Sequence, residues 1–182
     1  PDDPWARRLA DAIDALDGPA ICFGTAFAWV HFADALGGRR FRLPDGSLAL
    51  ETGGFKGRSR ELSRAGLYAL LRERLGLADD ACLSEYGMSE MASQFYGRGG
   101  EGAKVPAPWL RARALDPVTG EPCPPGVPGL LAYCDLANLN SVAAIQTEDW
   151  GAVGEDGAVA LHGRAPGATL RGCSLLAENV GG

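Results

Sequence analysis

Three short apolar runs, Ala20-Ile21-Cys22-Phe23, Leu48-Ala49-Leu50-Glu51 and Ala81-Cys82-Leu83-Ser84, alternate with stretches of helical period in the first half of the chain. Few architectures accept such an alternation. Strand, helix and strand in succession predict a parallel sheet with right-handed crossovers. The first helix carries Trp5, Leu9, Ala12, Ile13 and Leu16 on one stripe and stops at Gly18-Pro19. A second is expected from Phe27 to Leu36, ended by Gly37-Gly38. Ser63 caps a third, with Leu67, Leu70, Leu71 and Leu75 on one face and Gly76 at its end. The runs close on Gly24-Thr25, Thr52-Gly53-Gly54 and Tyr86-Gly87. Ligands of parallel sheets bind beyond the carboxyl ends of the strands, so these three closures should share one edge.

The pattern changes after Gly97, where Gly and Pro become dense. From Trp109 to Leu115, Arg111 and Arg113 alternate with Leu110, Ala112 and Ala114, and Asp116-Pro117-Val118-Thr119-Gly120 reads as a turn. Further strands are expected at Leu130–Cys134, Val142–Thr147 and Ala158–His162. The fold class is therefore α/β: a partial parallel sheet with flanking helices over residues 1–98, followed by a small antiparallel β-barrel-like lobe over 99–182.

Composition removes several function classes. The net charge of −6 and the lack of any Lys/Arg run argue against nucleic acid and anionic membrane as partners. No apolar stretch approaches the ~20 residues of a membrane span. The five cysteines, Cys22, Cys82, Cys123, Cys134 and Cys173, are odd in number and include no C-x-x-C pair, so free thiols in a reducing cytoplasm are expected. The chain opens on Pro1-Asp2-Asp3-Pro4 with no Met and reads as a fragment of a longer protein.

The run Glu85-Tyr86-Gly87-Met88-Ser89-Glu90 carries the clearest chemistry. A strand ends, Tyr86 offers a flat face, and Gly87 lets the backbone approach a ligand. Ser89 offers a hydroxyl to an anion. Glu90 offers a hard carboxylate suited to magnesium held with substrate phosphates. The plain alternative is a strand-to-helix turn in which Ser89 is an ordinary cap.

The run resembles the Tyr-Gly-x-Ser/Thr-Glu motif of the adenylate-forming superfamily of acyl-CoA synthetases, peptide-synthetase adenylation domains and luciferases. Thr52-Gly53-Gly54 lies upstream of it. Thr147-Glu148-Asp149-Trp150-Gly151 and Gly163-Arg164 followed by Arg171-Gly172 fit further family motifs in the right order. The wording of Thr52-Gly53-Gly54-Phe55-Lys56-Gly57-Arg58, of Ser93-Gln94-Phe95-Tyr96 and of Arg171-Gly172-Cys173-Ser174 is similar to the acyl-protein synthetase branch, which includes the bioluminescence fatty-acid ligase. Phenylacetate-type CoA ligases, and a nucleotide- or acyl-binding module without catalysis, are the alternatives.

The resemblance implies a ligase that activates a fatty acid as its adenylate, with ATP and Mg2+ as cofactors, and transfers the acyl group to a protein cysteine. A fatty acid is the implied substrate, and an acyl-acceptor or reductase protein is the implied partner. Tyr86 would stack on adenine, with Thr52, Gly53 and Gly54 opposite and Gly87 beside it. Ser89 would bind the α-phosphate and Glu90 the metal. Asp149 would hold the ribose, and Arg164 the ribose or phosphate. Cys173 would accept the acyl group, its thiolate favoured by Arg171. The family's phosphate loop and lysine-bearing lid have no counterpart in the sequence, and Pro166 stands where many relatives place an acidic hinge residue. His31 and His162 read as packed rather than catalytic, Lys56, Arg58 and Arg60 as a solvated loop, and Cys22, Cys82 and Cys134 as core.

Overall fold

The computed structural model describes residues 3–53, 62–99 and 102–168. The chain divides into two compact units, Pro1–Ala107 and Pro108–Gly182.

In the first unit, α1 (Pro4–Asp14) starts where the Asp3 carboxylate accepts the amides of Trp5 and Ala6. The strand β1 (Ile21–Thr25) leads directly into α2 (Ala26–Ala35), whose first turn is capped by Thr25 Oγ1 on the Ala28 amide. Next come β2 (Leu48–Thr52) and α3 (Arg64–Leu75). Ser63 caps α3 through the Gly66 amide, and Gly76 ends it in the left-handed region. The amides of Phe41 and Leu43 reach the carbonyls of Arg74 and Leu75, groups that an isolated helix leaves unpaired. A single 3-10 turn, Asp79–Ala81, then feeds β3 (Cys82–Tyr86) and β4 (Phe95–Arg98).

The sheet order is β1-β2-β3-β4. The first three strands are parallel, as the alternation predicts, while β4 runs antiparallel to β3. This last strand corrects the strand-to-helix alternative for Glu85–Glu90. After Tyr86 the chain turns at Met88–Met91, closed by the Met91 amide on the Met88 carbonyl at 3.1 Å, and returns as a strand. The core gathers Ala6, Ala10 and Ile13 of α1, Trp29, Val30 and Phe32 of α2, and Leu67, Tyr68, Leu71 and Leu75 of α3 around Ala49 and Cys82. The Trp29 indole also donates to the Leu50 carbonyl at 3.4 Å.

The second unit is a curled antiparallel half-barrel of β5 (Leu110–Leu115), β6 (Gly129–Asp135), β7 (Ala144–Val153) and β8 (Val159–Arg164), paired in chain order. The alternation read at Leu110–Leu115 is observed: Leu110 and Ala114 are buried, while Arg111 and Arg113 are exposed. Asp116 Oδ1 accepts the amides of Val118 and Thr119, both at 2.8 Å, and so builds the expected turn. The ten-residue β7 extends well beyond the Val142–Thr147 expectation.

Candidate functional site

The register puts Thr25 opposite Thr52 and Thr52 opposite Glu85, so β1, β2 and β3 end on one line. Tyr86 is the last residue of β3 at this edge, and Gly53 and Gly87 follow directly on β2 and β3. Tyr86 is half-buried, its ring tilted 48° against that of the buried Phe95 at 5.9 Å between centroids. Gly87, Ser89 and Glu90 are exposed, the last two inside the Met88–Met91 turn. The Glu85 side chain accepts from Thr52 Oγ1 at 3.2 Å on one oxygen and from Tyr96 Oη at 3.1 Å on the other. It thus ties β2, β3 and β4 together one residue before Tyr86. Burial, followed by the hydrogen bond to Glu85, raises the Tyr96 phenol above its ordinary range.

The opposite face of the same strands holds a buried polar cluster. Glu51 of β2, Tyr68 of α3, Ser84 of β3 and Lys104 are 2%, 1%, 1% and 2% exposed. Tyr68 Oη donates to Glu51 Oε1 at 3.1 Å, Arg64 Nε lies 3.5 Å from the same oxygen, and Lys104 Nζ donates to Ser84 Oγ. Burial raises the Glu51 carboxyl, with Arg64, the Tyr68 hydrogen bond and Lys104 opposing. Burial pushes the Lys104 ammonium down to about 8, with Arg64 adding to the drop and Glu51 opposing it.

In the second unit, Thr147-Glu148-Asp149-Trp150-Gly151 lies in β7 and Gly163-Arg164 ends β8. Thr147 Oγ1 donates to the Leu131 carbonyl at 2.8 Å and accepts the Asp149 amide at 3.1 Å. Asp149 and Arg164 are partners across the strands. Arg164 Nη1 meets Asp149 Oδ1 at 2.8 Å, and its Nη2 meets Glu148 Oε2 at 2.7 Å. The pairing slips by a residue between Trp150 and Gly151. Gly151 is needed there because a Cβ would stand 2.4 Å from the Ala160 carbonyl oxygen. Ala165–Ala168 then forms a turn with Pro166 second and Gly167 third (φ 83°), closed by the Ala168 amide on the Ala165 carbonyl at 3.0 Å.

Thus Thr52, Gly53, Tyr86, Gly87, Ser89 and Glu90 come together in the first unit, and Asp149 with Arg164 in the second. Gly54, Lys56, Arg58, Arg60, Arg171, Gly172 and Cys173 lie outside the described residues. His31 stacks on the rings of Trp5 and Phe27 and bonds Asp3 at 2.8 Å, but it is exposed rather than packed in the core. Of the cysteines read as core, Cys82 is buried, whereas Cys22 and Cys134 are half-buried. Cys22 lines an apolar groove of about 270 Å³ with Trp5, Leu9, Ile13, Phe23 and Trp29. Sequence reasoning missed Glu51, Tyr68, Glu85 and Lys104. Glu85 alone carried a local signal, as the acidic residue before Tyr86-Gly87.

Chemically, the first unit offers a half-buried aromatic face beside bare backbone, with a hydroxyl and a carboxylate one turn beyond. Such a set fits a purine and a magnesium ion that keeps its phosphate ligands. Among the described residues no group of three or more His, Cys, Asp or Glu forms a metal cage, and a phosphate-bound magnesium ion requires none. No helix among them is long and apolar enough to cross a membrane.

Residues 11–180 match the family described as acyl-protein synthetase, LuxE. The chain belongs to the acyl-protein synthetase family. It is 35% identical over 92 residues to the long-chain-fatty-acid–luciferin-component ligase of Vibrio harveyi, a match covering 41% of this chain and 23% of that protein. The corresponding Aliivibrio fischeri protein is 37% identical over 84 residues, covering 40% and 21%. The matches thus span about a quarter or less of these relatives' length. Among solved structures, ATP-bound MatB from Rhodopseudomonas palustris superposes with a TM-score of 0.64 at 18% identity, over 87% of this chain and 33% of that one. A long-chain-fatty-acid-CoA ligase from Archaeoglobus fulgidus gives 0.61 at 13%, over 88% and 37%. The acyl-protein synthetase chain therefore shares the fold of these adenylate-forming enzymes.

Proposed function

We propose that the whole protein activates a long-chain fatty acid with ATP and passes the acyl group to a protein cysteine. The carboxylate oxygen attacks the α-phosphorus, pyrophosphate leaves, and a thiolate then displaces AMP from the acyl carbon. The observation that carries this reading is the alignment of Thr52, Glu85 and Tyr86 at one strand edge, in a chain that matches the acyl-protein synthetase family over residues 11–180.

We assign Tyr86 to the adenine face, with Thr52, Gly53, Gly54 and Gly87 around it. Ser89 binds the α-phosphate, Asp149 the ribose hydroxyls, and Arg164 the ribose or phosphate. Glu90 holds Mg2+, which neutralises phosphate charge when bound. Attack on phosphorus needs in-line placement and neutralised charge more than covalent help. Cys173 is the acyl acceptor, and a second acceptor or a reductase is the partner. The setting is the cytoplasm, where ATP is present and thiols stay reduced.

Pyrophosphate exchange by the full-length protein across a panel of fatty acids tests the reading. We expect exchange with medium- or long-chain acids and none from residues 1–182 alone. No exchange with any carboxylic acid would overturn it. Thioester formation with CoA but not with protein would select a CoA ligase instead. Labelled acyl group on Cys173, labile to hydroxylamine and lost in Cys173→Ser while exchange persists, is the expected acceptor result.

A further inference from the structure

Lys104 follows β4 in a stretch whose sequence does nothing to distinguish it, yet its side chain is as buried as the core. Lysines are almost never fully buried unless paired. The partners of Lys104 form a directed series. Lys104 Nζ donates to Ser84 Oγ, the Ser84 hydroxyl bonds the Tyr68 phenol, and Tyr68 Oη donates to Glu51 Oε1 at 3.1 Å. A cation is thereby joined to a carboxylate through two hydroxyls, with Arg64 Nε 3.5 Å from the carboxylate end. In a low-dielectric interior such a chain polarises itself, and each link strengthens the next.

Its position explains what it can do. Ser84 is opposite Glu51 on β2 and opposite Gly97 on β4. A Cβ on Gly97 would stand 3.3 Å from the carbonyl oxygens of Gly102 and Ala103 and 3.4 Å from Ser84 Oγ. The missing side chain is what lets residues 102–104 lie against the strand and deliver Lys104 to Ser84. Glu85, the next residue of β3, points to the other face and is held there by Thr52 and Tyr96. The two residues before Tyr86 are therefore fixed from both faces of the sheet.

We propose that Lys104 is a positioning residue for nucleotide binding: resting on the reading of Tyr86 as the adenine platform, the buried chain Lys104–Ser84–Tyr68–Glu51 fixes the end of β3 and holds the Tyr86–Gly87 turn at the height the base needs. Lys104 touches no substrate and acts through Ser84. The groups facing it are Ser84 of β3, Glu51 of β2, and Arg64 and Tyr68 of α3. Burial holds the ammonium down at about 8, so its charge changes within a pH range that kinetics can follow.

The test uses the full-length protein in pyrophosphate exchange, reading KM for ATP and KM for the fatty acid from pH 6.5 to 9.5. Wild type is compared with Tyr86→Ala, Lys104→Met and Tyr68→Phe. Tyr68→Phe keeps the ring and breaks the chain, so it serves even where Lys104→Met does not fold. Removing a link should raise KM for ATP about fivefold, the loss of one buried hydrogen bond, and leave KM for the acid unchanged. KM for ATP in wild type should also rise as the pH passes about 8, and that rise should vanish in Lys104→Met. Variants with lowered thermal stability but wild-type KM for ATP and an unaltered pH profile would overturn the inference while Tyr86→Ala still weakens ATP. If Tyr86→Ala leaves KM for ATP unchanged, the adenine platform itself is misassigned and the positioning role falls with it.

Discussion

Arg164 bonds Asp149 across β7 and β8, Nη1 to Oδ1 at 2.8 Å, while its Nη2 engages Glu148. The two residues assigned to the nucleotide in this unit are therefore a preformed pair. Arg164 ties down the Asp149 carboxylate, so on the proposed assignment the charge offered to the ribose hydroxyls would already be oriented. Arg164→Met and Asp149→Asn should each raise KM for ATP, and the double variant should be less than the sum. The coupling should be about 1 kcal/mol, as for a partly exposed ion pair, in a double-mutant cycle on KM and on unfolding. Strict additivity in both would mean that the pair is incidental.

Glu90 and Asp149 should fail in different ways. Glu90 sits exposed in the Met88–Met91 turn, and a metal held there matters most where charge develops. Glu90→Gln should depress kcat by more than tenfold with a small change in KM for ATP. Asp149→Asn should chiefly raise KM for ATP, since a hydrogen bond to a charged group is worth about 1.5–3 kcal/mol. Steady-state kinetics of both variants, with Mg2+ titrated, separates the two. Equal, mild losses would mean that the site is misplaced.

Local signals carried the framework. Ser63 and Gly76 mark the ends of α3 because capping is a contest between neighbouring groups, decided within a few residues. The closures of β1, β2 and β3 share an edge because strands separated by helices leave little other choice. β4 was hidden for a physical reason: Phe95-Tyr96-Gly97-Arg98 contains a glycine that weakens any strand signal, and its purpose lies elsewhere, in clearing room for residues 102–104. Lys104, Tyr68 and Glu51 were illegible for the same kind of reason. Their partners are 13 to 20 residues away, and burial of a lysine is set by what folds over it rather than by its neighbours in sequence. The pair Asp149–Arg164 was legible as two motifs but not as one contact.

Gly151 offers a test of packing in the second unit. A Cβ there would stand 2.4 Å from the backbone oxygen of Ala160 and 3.0 Å from Leu131 Cδ1. Backbone cannot step aside as the end of a side chain can. Gly151→Ala should therefore force β7 and β8 apart and destabilise the protein by about 1–3 kcal/mol in chemical denaturation. Because Asp149 is two residues upstream, KM for ATP should rise as well. A stability change within about 0.5 kcal/mol, the range of an ordinary surface substitution, would contradict the close approach.

The buried ammonium makes a final prediction about stability and pH. Lys104 titrates at about 8 in the fold against an ordinary 10.5, because burial penalises its charge. Between those values the unfolded chain binds more protons than the folded one, so stability should rise as pH goes from about 8 toward 10. Tyr68 acts in the opposite sense. Burial raises its phenol above the ordinary 10, so the folded protein keeps that proton longer, and stability falls once the pH passes 10. Burial also raises the Cys22 thiol above its ordinary 9, and Tyr96 above its ordinary 10, so both oppose the climb at higher pH. The wild-type curve should thus climb above pH 8, flatten past about 9 and fall beyond 10. Lys104→Met removes the climb and leaves the fall, while Tyr68→Phe removes this phenol's share of the fall. Denaturation midpoints at pH 7, 8, 9, 10 and 10.5 for the three proteins decide the matter. A wild-type curve that declines steadily from pH 8, parallel to that of Lys104→Met, would mean that Lys104 keeps an ordinary basicity and is solvated in the folded protein.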